Sequence, residues 1–370
     1  MKFLRFCLPL VLAVCACGCS RDSSRMLETE GWDESVHRAL CSVIAETSAA
    51  GEGAYAVFDC DFTSIVHDVE HTLATYLVEN LAFAEAPDHG FLDGVEDRSV
   101  MLEEWGMPAE QAGAVLAEEY AQLKAFQTEG LSLEEIHALP LYLDFRARFV
   151  SFNAALVEVV DYGTDCLWSP SLLTGMTWEE AAAVVNASLR HALSIPPVME
   201  TWVSPDGAFS GVAEKGLVVP ANTRNLFRAL QRNGIDVYIV SASLEMIVEA
   251  LACDPEMGFG LDPDRVFGVR LVDGETLIPR YQEGYVQPYL EGKVQCVETL
   301  IAPAYGGAAP VLVAGDSNGD YAMLTAWPSM KCGLIMDCGR KGKIAELVAQ
   351  AKAERNRGRY VVQSTLYSAE

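Results

Sequence analysis

Basic residues are scarce in this chain: 26 lysines and arginines stand against 52 acidic residues, a net charge of −26 at pH 7. Binding a nucleic-acid backbone needs Lys and Arg gathered together, so this balance excludes nucleic acid as a partner. The apolar run at residues 6–14 falls well short of the ~20 residues that cross a bilayer. Histidines are few, and although His67 and His71 stand four apart, Asp68 sits where a zinc-protease signature requires Glu, and no third ligand follows. Cysteine is present but lacks a framework. Cys7, Cys15, Cys17 and Cys19 crowd the N-terminus, and Cys41, Cys60, Cys166, Cys253, Cys296, Cys332 and Cys338 have no zinc or disulfide spacing. No repeat or low-complexity tract interrupts the sequence.

Apolar residues make up 51% of the chain, which excludes a disordered protein, and 370 residues predict two domains. Lys2 and Arg5 before the short apolar run, with small residues after it, form an export signal over residues 1–19. Its end, Val14-Cys15-Ala16-Cys17-Gly18-Cys19-Ser20, resembles a bacterial lipobox. Cys17 after Ala16 and Cys19 after Gly18 both fit the lipidated position, so the expectation is an exported lipoprotein anchored to a bacterial membrane, facing the periplasm or the cell exterior. Residues 20–53 then provide a tether and an N-terminal helix, with apolar positions at Trp32, Val36, Leu40, Val43 and Ile44.

Residues 54–58 read as a buried strand, and the chain returns to an α/β rhythm only beyond Pro220. Strands are predicted at 236–240, 311–314 and 332–336, a hairpin at 267–281 turning at Asp273-Gly274, and helices around 293–301 and 343–353. The intervening stretch is far longer than a crossover and patterned as helices over 67–83, 108–128, 133–160 and 177–193. The expected fold class is α/β, a Rossmann-like parallel sheet core (54–65 and 216–370) with a large helical cap domain (66–215) inserted after the first strand.

Asp59-Cys60-Asp61-Phe62-Thr63 follows the first strand directly, which puts two carboxylates and a hydroxyl at the carboxyl edge of the sheet, where open α/β folds bind ligands. Ser241 follows another apolar run, Lys293 comes next, and Gly315-Asp316-Ser317-Asn318-Gly319-Asp320 ends a third. Phosphomonoester cleavage needs a nucleophile, charge neutralisation on the phosphoryl oxygens and a proton for the leaving group. Asp59 suits the nucleophile and Asp61 the acid and base. Lys293 suits the counter-charge, and Thr63, Ser241 and the amides near it, including that of Ala242, suit the phosphate oxygens. The oxygen donors Asp59, the Asp61 carbonyl and Asp316 suit Mg²⁺, with Asp320 orienting a metal water or Lys293. Cys60 between the carboxylates is expected to face the sheet interior.

These residues, in this order and behind these strands, resemble the four motifs of the haloacid dehalogenase superfamily. The second carboxylate at Asp61 resembles its phosphatases, and residues 56–65 with Asp68-Val69-Glu70 are similar to exported phosphorylcholine phosphatases and their phosphoserine-phosphatase-like relatives. The relatives usually carry Asn where Phe62 stands. The resemblance implies a Mg²⁺-dependent hydrolase acting through an aspartyl-phosphate on a small phosphomonoester. For a choline headgroup, the cap offers Trp105, Tyr142, Trp168, Trp178 and Trp202, with Asp68 and Glu70 near the entrance, but helical domains commonly bury such rings and core packing is the expected role for most of them. Two alternatives remain open at this point: a phosphotransferase using the same intermediate, and a membrane-tethered ligand-binding lipoprotein.

Overall fold

The computed structural model describes residues 27–51, 53–84 and 91–365; the predicted export signal and the candidate lipid-bearing Cys17 and Cys19 lie outside them. Six parallel strands form the main sheet in the order Tyr360–Ser364, Cys332–Asp337, Leu312–Gly315, Ala54–Phe58, Ile235–Leu244, Val266–Val269. The first strand lies mid-sheet. The chain builds outward from it on one side, then crosses to the other, and this reversal opens the crevice in which such folds bind ligands.

All five residues of Ala54–Phe58 are buried, because helices cover both faces of a parallel sheet. Strand alternation divides them: Ala54, Ala56 and Phe58 pack with Leu40 and Ile44 of the helix Glu34–Ala50 and with Leu226 and Phe227 of Ala221–Arg232. Tyr55 and Val57 face the opposite layer, with Val297, Ile301, Leu324 and Ile344. Phe58 and Phe227 meet with ring centroids 4.5 Å apart.

Between the first strand and Ile235–Leu244 stand the helices Val69–Asn80, Ala109–Thr128, Leu133–His137, Pro140–Val157, Tyr162–Ser171 and Trp178–Ser194. The helix expected over 133–160 is broken, because Pro140 starts a new helix and holds Leu139 in an extended conformation. Tyr162–Ser171 was not anticipated; Gly163 and an internal Pro170 blur its apolar face. Also unanticipated is the antiparallel pair Val198–Val203 and Ser210–Lys215. Of the hairpin expected over 267–281, only Leu271–Val272 and Ile278–Tyr281 pair, while Val266–Val269 joins the main sheet. A strand beyond 332–336, Tyr360–Ser364, closes the far edge.

The inserted segment leaves and returns at one place, where the amide of Val66 donates to the carbonyl of Val218 at 2.8 Å. Its apolar interior, including Leu73, Tyr120, Phe145 and Phe149, is continuous with that against one sheet face. Trp105, Tyr142, Trp168 and Trp202 are buried in that interior and Trp178 packs at its margin, so these rings serve packing, and none of them lines the cavity of Asp59 and Asp61. Gly216, on the return, has φ +78, and a Cβ there would stand 2.4 Å from the carbonyl oxygen of Pro196. Gly216→Ala is therefore expected to lose about 1–3 kcal/mol of stability, measured by urea denaturation; an unchanged midpoint would contradict this account of the junction.

Candidate active site

The first strand ends as the Asp59 amide donates to the carbonyl of Ala314 at 3.0 Å. The chain then winds into a tight loop in which the amides of Ser64 and Ile65 donate to the Cys60 carbonyl at 2.8 and 3.2 Å. The Ser64 hydroxyl closes the loop on the Asp59 carbonyl at 2.6 Å. Asp59 and Asp61 both reach a cavity of about 340 Å³ at the carboxyl edge of the sheet. Cys60 turns into the apolar interior, where burial, reinforced by the flanking carboxylates, pushes its thiol well above the usual range; it is no nucleophile.

Lys293 extends from the helix Glu291–Cys296 to the floor of this cavity, with its Nζ 2.6 Å from Asp59 Oδ1 and 2.6 Å from Asp320 Oδ1. Burial opposes the ammonium charge, but Asp320 and Asp59 outweigh it and hold its pKa well above the ordinary value. The second oxygen of Asp320 accepts from the amides of Asp316 and Ser317 and from the Ser317 hydroxyl, each at 3.1 Å. Gly315 makes this turn possible: a Cβ there would meet the Asp320 side chain at 2.4 Å.

Carboxylate oxygens of Asp59, Asp316 and Asp320 all lie within 4.8 Å of one another. Near them stand two cations, Lys293 and Arg340, whose Nε lies 3.3 Å from Asp316 Oδ2. Burial pushes Asp59 up to about 7 and Asp316 well above the usual range; neighbouring carboxylates add to both shifts, and the cations only partly offset them. Three hard oxygen donors with an excess of negative charge fit a small divalent cation such as Mg²⁺, so the donor set passes the test of its chemistry.

Asp61 is held differently. Its Oδ1 accepts from the amide of Val69 at 2.9 Å and its Oδ2 from the Ser243 hydroxyl at 2.7 Å. Burial, then the charges of Asp68 and Asp59, push its pKa well up, the direction that favours the protonated form a general acid needs. Ser243 stands two residues beyond Ser241, on the same side of the strand, and Ser-Ala-Ser carried that signal. Ser241 itself is fully buried and accepts from the Ser243 amide at 3.1 Å, while Ala242 and Ser243 line the cavity. Thr63 donates to Asp316 Oδ1 at 3.4 Å and faces a separate apolar cavity behind the loop. The structure thus gathers Asp59, Asp61, Ala242, Lys293 and Asp316 around the cavity and sets Ser241, Thr63 and Asp320 behind them.

The cavity is also lined by Asp68, Glu70 and His71 at the start of Val69–Asn80 and by Tyr162, Asp165 and Cys166 from Tyr162–Ser171. Asp68 caps its helix, accepting from the amides of Glu70 and His71 at 2.7 and 3.0 Å. Glu70 Oε1 accepts from the Leu244 amide at 2.8 Å and fastens the first turn to the end of the neighbouring strand. His71 pairs with Glu214 at 2.9 Å, whereas His67 turns to the Gly216 carbonyl at 3.0 Å, so the two histidines do not converge on a metal. Gly319 lets Tyr162 approach; a Cβ there would stand 2.8 Å from the tyrosine hydroxyl.

No protein-family profile matches the chain. It is similar to the phosphorylcholine phosphatase of Pseudomonas aeruginosa, 25% identical over 381 residues that cover 93% of each chain. Among solved structures, a conserved protein of unknown function from Anaerococcus prevotii superposes with a TM-score of 0.81 at 26% identity, covering 93% of this chain and 99% of the other.

Carboxyls held above their ordinary range bind protons in the folded state that the unfolded chain has already released. For Asp59, pushed up to about 7, this contribution to stability is greatest near pH 4 and is lost as pH rises to about 7, and the raised Asp61 and Asp316 act in the same direction. Metal-free protein is accordingly expected to melt several degrees lower at about pH 7.5 than at about pH 5.5, with saturating Mg²⁺ narrowing the difference. Thermal denaturation followed by circular dichroism checks this; a higher melting temperature at the higher pH without metal would contradict it.

Proposed function

We propose that this chain is a phosphatase of the haloacid dehalogenase superfamily and hydrolyses a small extracytoplasmic phosphomonoester through an aspartyl-phosphate on Asp59. The observation that carries this reading is the buried Lys293 clamped between Asp59 and Asp320. Burying such ions costs several kcal/mol each and seldom repays itself in stability, so the arrangement is better understood as chemistry.

In the first step an Asp59 carboxylate oxygen attacks phosphorus as the bond from phosphorus to the leaving oxygen breaks, and Asp61 gives its proton to that oxygen. In the second, Asp61, now a carboxylate, takes a proton from water, whose oxygen attacks phosphorus and releases Asp59 and inorganic phosphate. Lys293 lowers the repulsion between the attacking carboxylate and the phosphoryl group. Mg²⁺, held by Asp59 and Asp316 with Asp320 behind them, would neutralise charge developing on the phosphoryl oxygens. The Val69 amide and the Ser243 hydroxyl keep Asp61 aimed at the leaving oxygen.

The leaving group departs toward the part of the cavity lined by Asp68, Glu70 and Asp165, with the ring of Tyr162 also in the cavity wall. Three carboxyls and an aromatic face suit an alcohol bearing a cation, because a quaternary ammonium is held by charge and π contact rather than hydrogen bonds. Phosphorylcholine, named for the similar Pseudomonas enzyme, fits that chemistry and is the proposed substrate. Export and lipid attachment at Cys17 or Cys19 complete the reading; loss of metabolically incorporated palmitate in one of the two single alanine variants would identify the attachment site, and its retention in both would argue against these two positions.

Phosphate release should depend on Mg²⁺ and disappear in Asp59→Asn, assayed on phosphorylcholine, phosphoethanolamine, phosphoserine and p-nitrophenyl phosphate. Asp61→Asn is expected to slow the alkyl esters about 10²-fold or more and the p-nitrophenyl ester less, since an activated leaving group needs little acid help. Asp165→Asn should lower the ratio of kcat/KM for phosphorylcholine to that for p-nitrophenyl phosphate. No release from any substrate by folded protein would favour a binding lipoprotein, and transfer to added alcohol in preference to water would favour a phosphotransferase.

A further inference from the structure

Phe62 places a large ring in a polar loop, and does so in left-handed backbone at φ +55, where a bulky side chain carries strain. The ring supports a cation. The guanidinium of Arg340, from the loop after Cys332–Asp337, lies over it with Cζ 4.9 Å from the centroid. Arg340 lines the catalytic cavity alongside Asp59, Lys293 and Asp316. Its Nε is committed to Asp316 Oδ2, and among the described residues no hydrogen bond falls to its two terminal nitrogens.

A phosphoryl group at Asp59 needs more positive charge than Lys293 can spare, because that ammonium already makes two 2.6 Å contacts to Asp59 and Asp320. His71, the other cationic side chain of the cavity, is already paired with Glu214. Arg340 is the lining cation with donors to offer. We propose that Arg340 is a phosphate-binding catalytic residue whose terminal nitrogens take two phosphoryl oxygens, with Phe62 as the positioning residue beneath it; this rests on the phosphatase reading. A guanidinium fork matches two oxygens at once, and stacking on a ring with Nε tethered leaves it little freedom to lose on binding. Phe62 thereby has a physical reason for standing where the related enzymes usually carry a small amide.

The test is calorimetric titration of folded protein with inorganic phosphate in the presence of Mg²⁺, and separately with Mg²⁺ alone. Arg340→Ala should weaken phosphate about tenfold or more, and Arg340→Lys should recover only part of the loss, because a point charge lacks the fork. Mg²⁺ should bind Arg340→Ala as tightly as wild type or more tightly, since a positive charge has left Asp316. Phe62→Leu should weaken phosphate several-fold, Phe62→Tyr should not, and the Phe62→Leu, Arg340→Ala double variant should be no weaker than Arg340→Ala. Unchanged phosphate affinity in Arg340→Ala, or joint loss of phosphate and Mg²⁺ affinity, overturns the proposal while leaving the phosphatase reading in place. Wild-type protein that binds no phosphate overturns both.

Discussion

One buried ammonium organises this site. Lys293 joins three parts of the chain that are remote in sequence: the end of the central strand at Asp59, its own short helix, and the turn braced by Asp320. Because Asp320 spends its second oxygen on the Asp316 turn, displacing the lysine would leave buried like charges unbalanced and the turn unbraced. Sites of this kind tolerate little adjustment, since every polar group removed from water needs its partner in place.

A second set of bonds joins the acid to the inserted segment. The first turn of Val69–Asn80 gives an amide to Asp61, receives Leu244 on Glu70 and is fastened through Asp68 to Glu214. The helix that begins the inserted segment is therefore also the bracket of Asp61, the proposed proton donor, and two of the three carboxyls proposed to face the leaving group, Asp68 and Glu70, stand on that same turn. In the proposed mechanism, placement of the acid and choice of the alcohol are therefore mechanically linked. The shared apolar interior extends the link, because Leu73 and Leu77 of that helix belong to the cluster that covers one face of the sheet.

Much of this arrangement was legible along the chain. The apolar run of residues 54–58 predicts a strand buried on both faces, and Asp59 and Asp61 behind it carry their chemistry in their position. Lys343–Ala353 was readable as a helix from its apolar spacing. Tyr162–Ser171 was not, because Gly163 and Pro170 disguise a helix that long-range packing enforces. The cap aromatics, expected for the most part to pack a core, do so, although an aromatic suited to a choline cage is equally suited to a helical core and composition does not distinguish the two.

Local sequence determined which chemistry this protein carries, because strand ends, paired carboxylates and a glycine turn are encoded within a few residues of one another. Tertiary structure decided how that chemistry is arranged. It gave Asp61 the Ser243 hydroxyl as a partner, buried Ser241, expected at the phosphate, behind the cavity, turned Thr63 behind the loop, and set Arg340 over Phe62. It also gathered Asp68, Glu70 and Asp165 into the cavity wall. Those choices depend on distances between segments up to hundreds of residues apart, which no local periodicity records, and on desolvation that exists only once the sheet and cap have closed around the site.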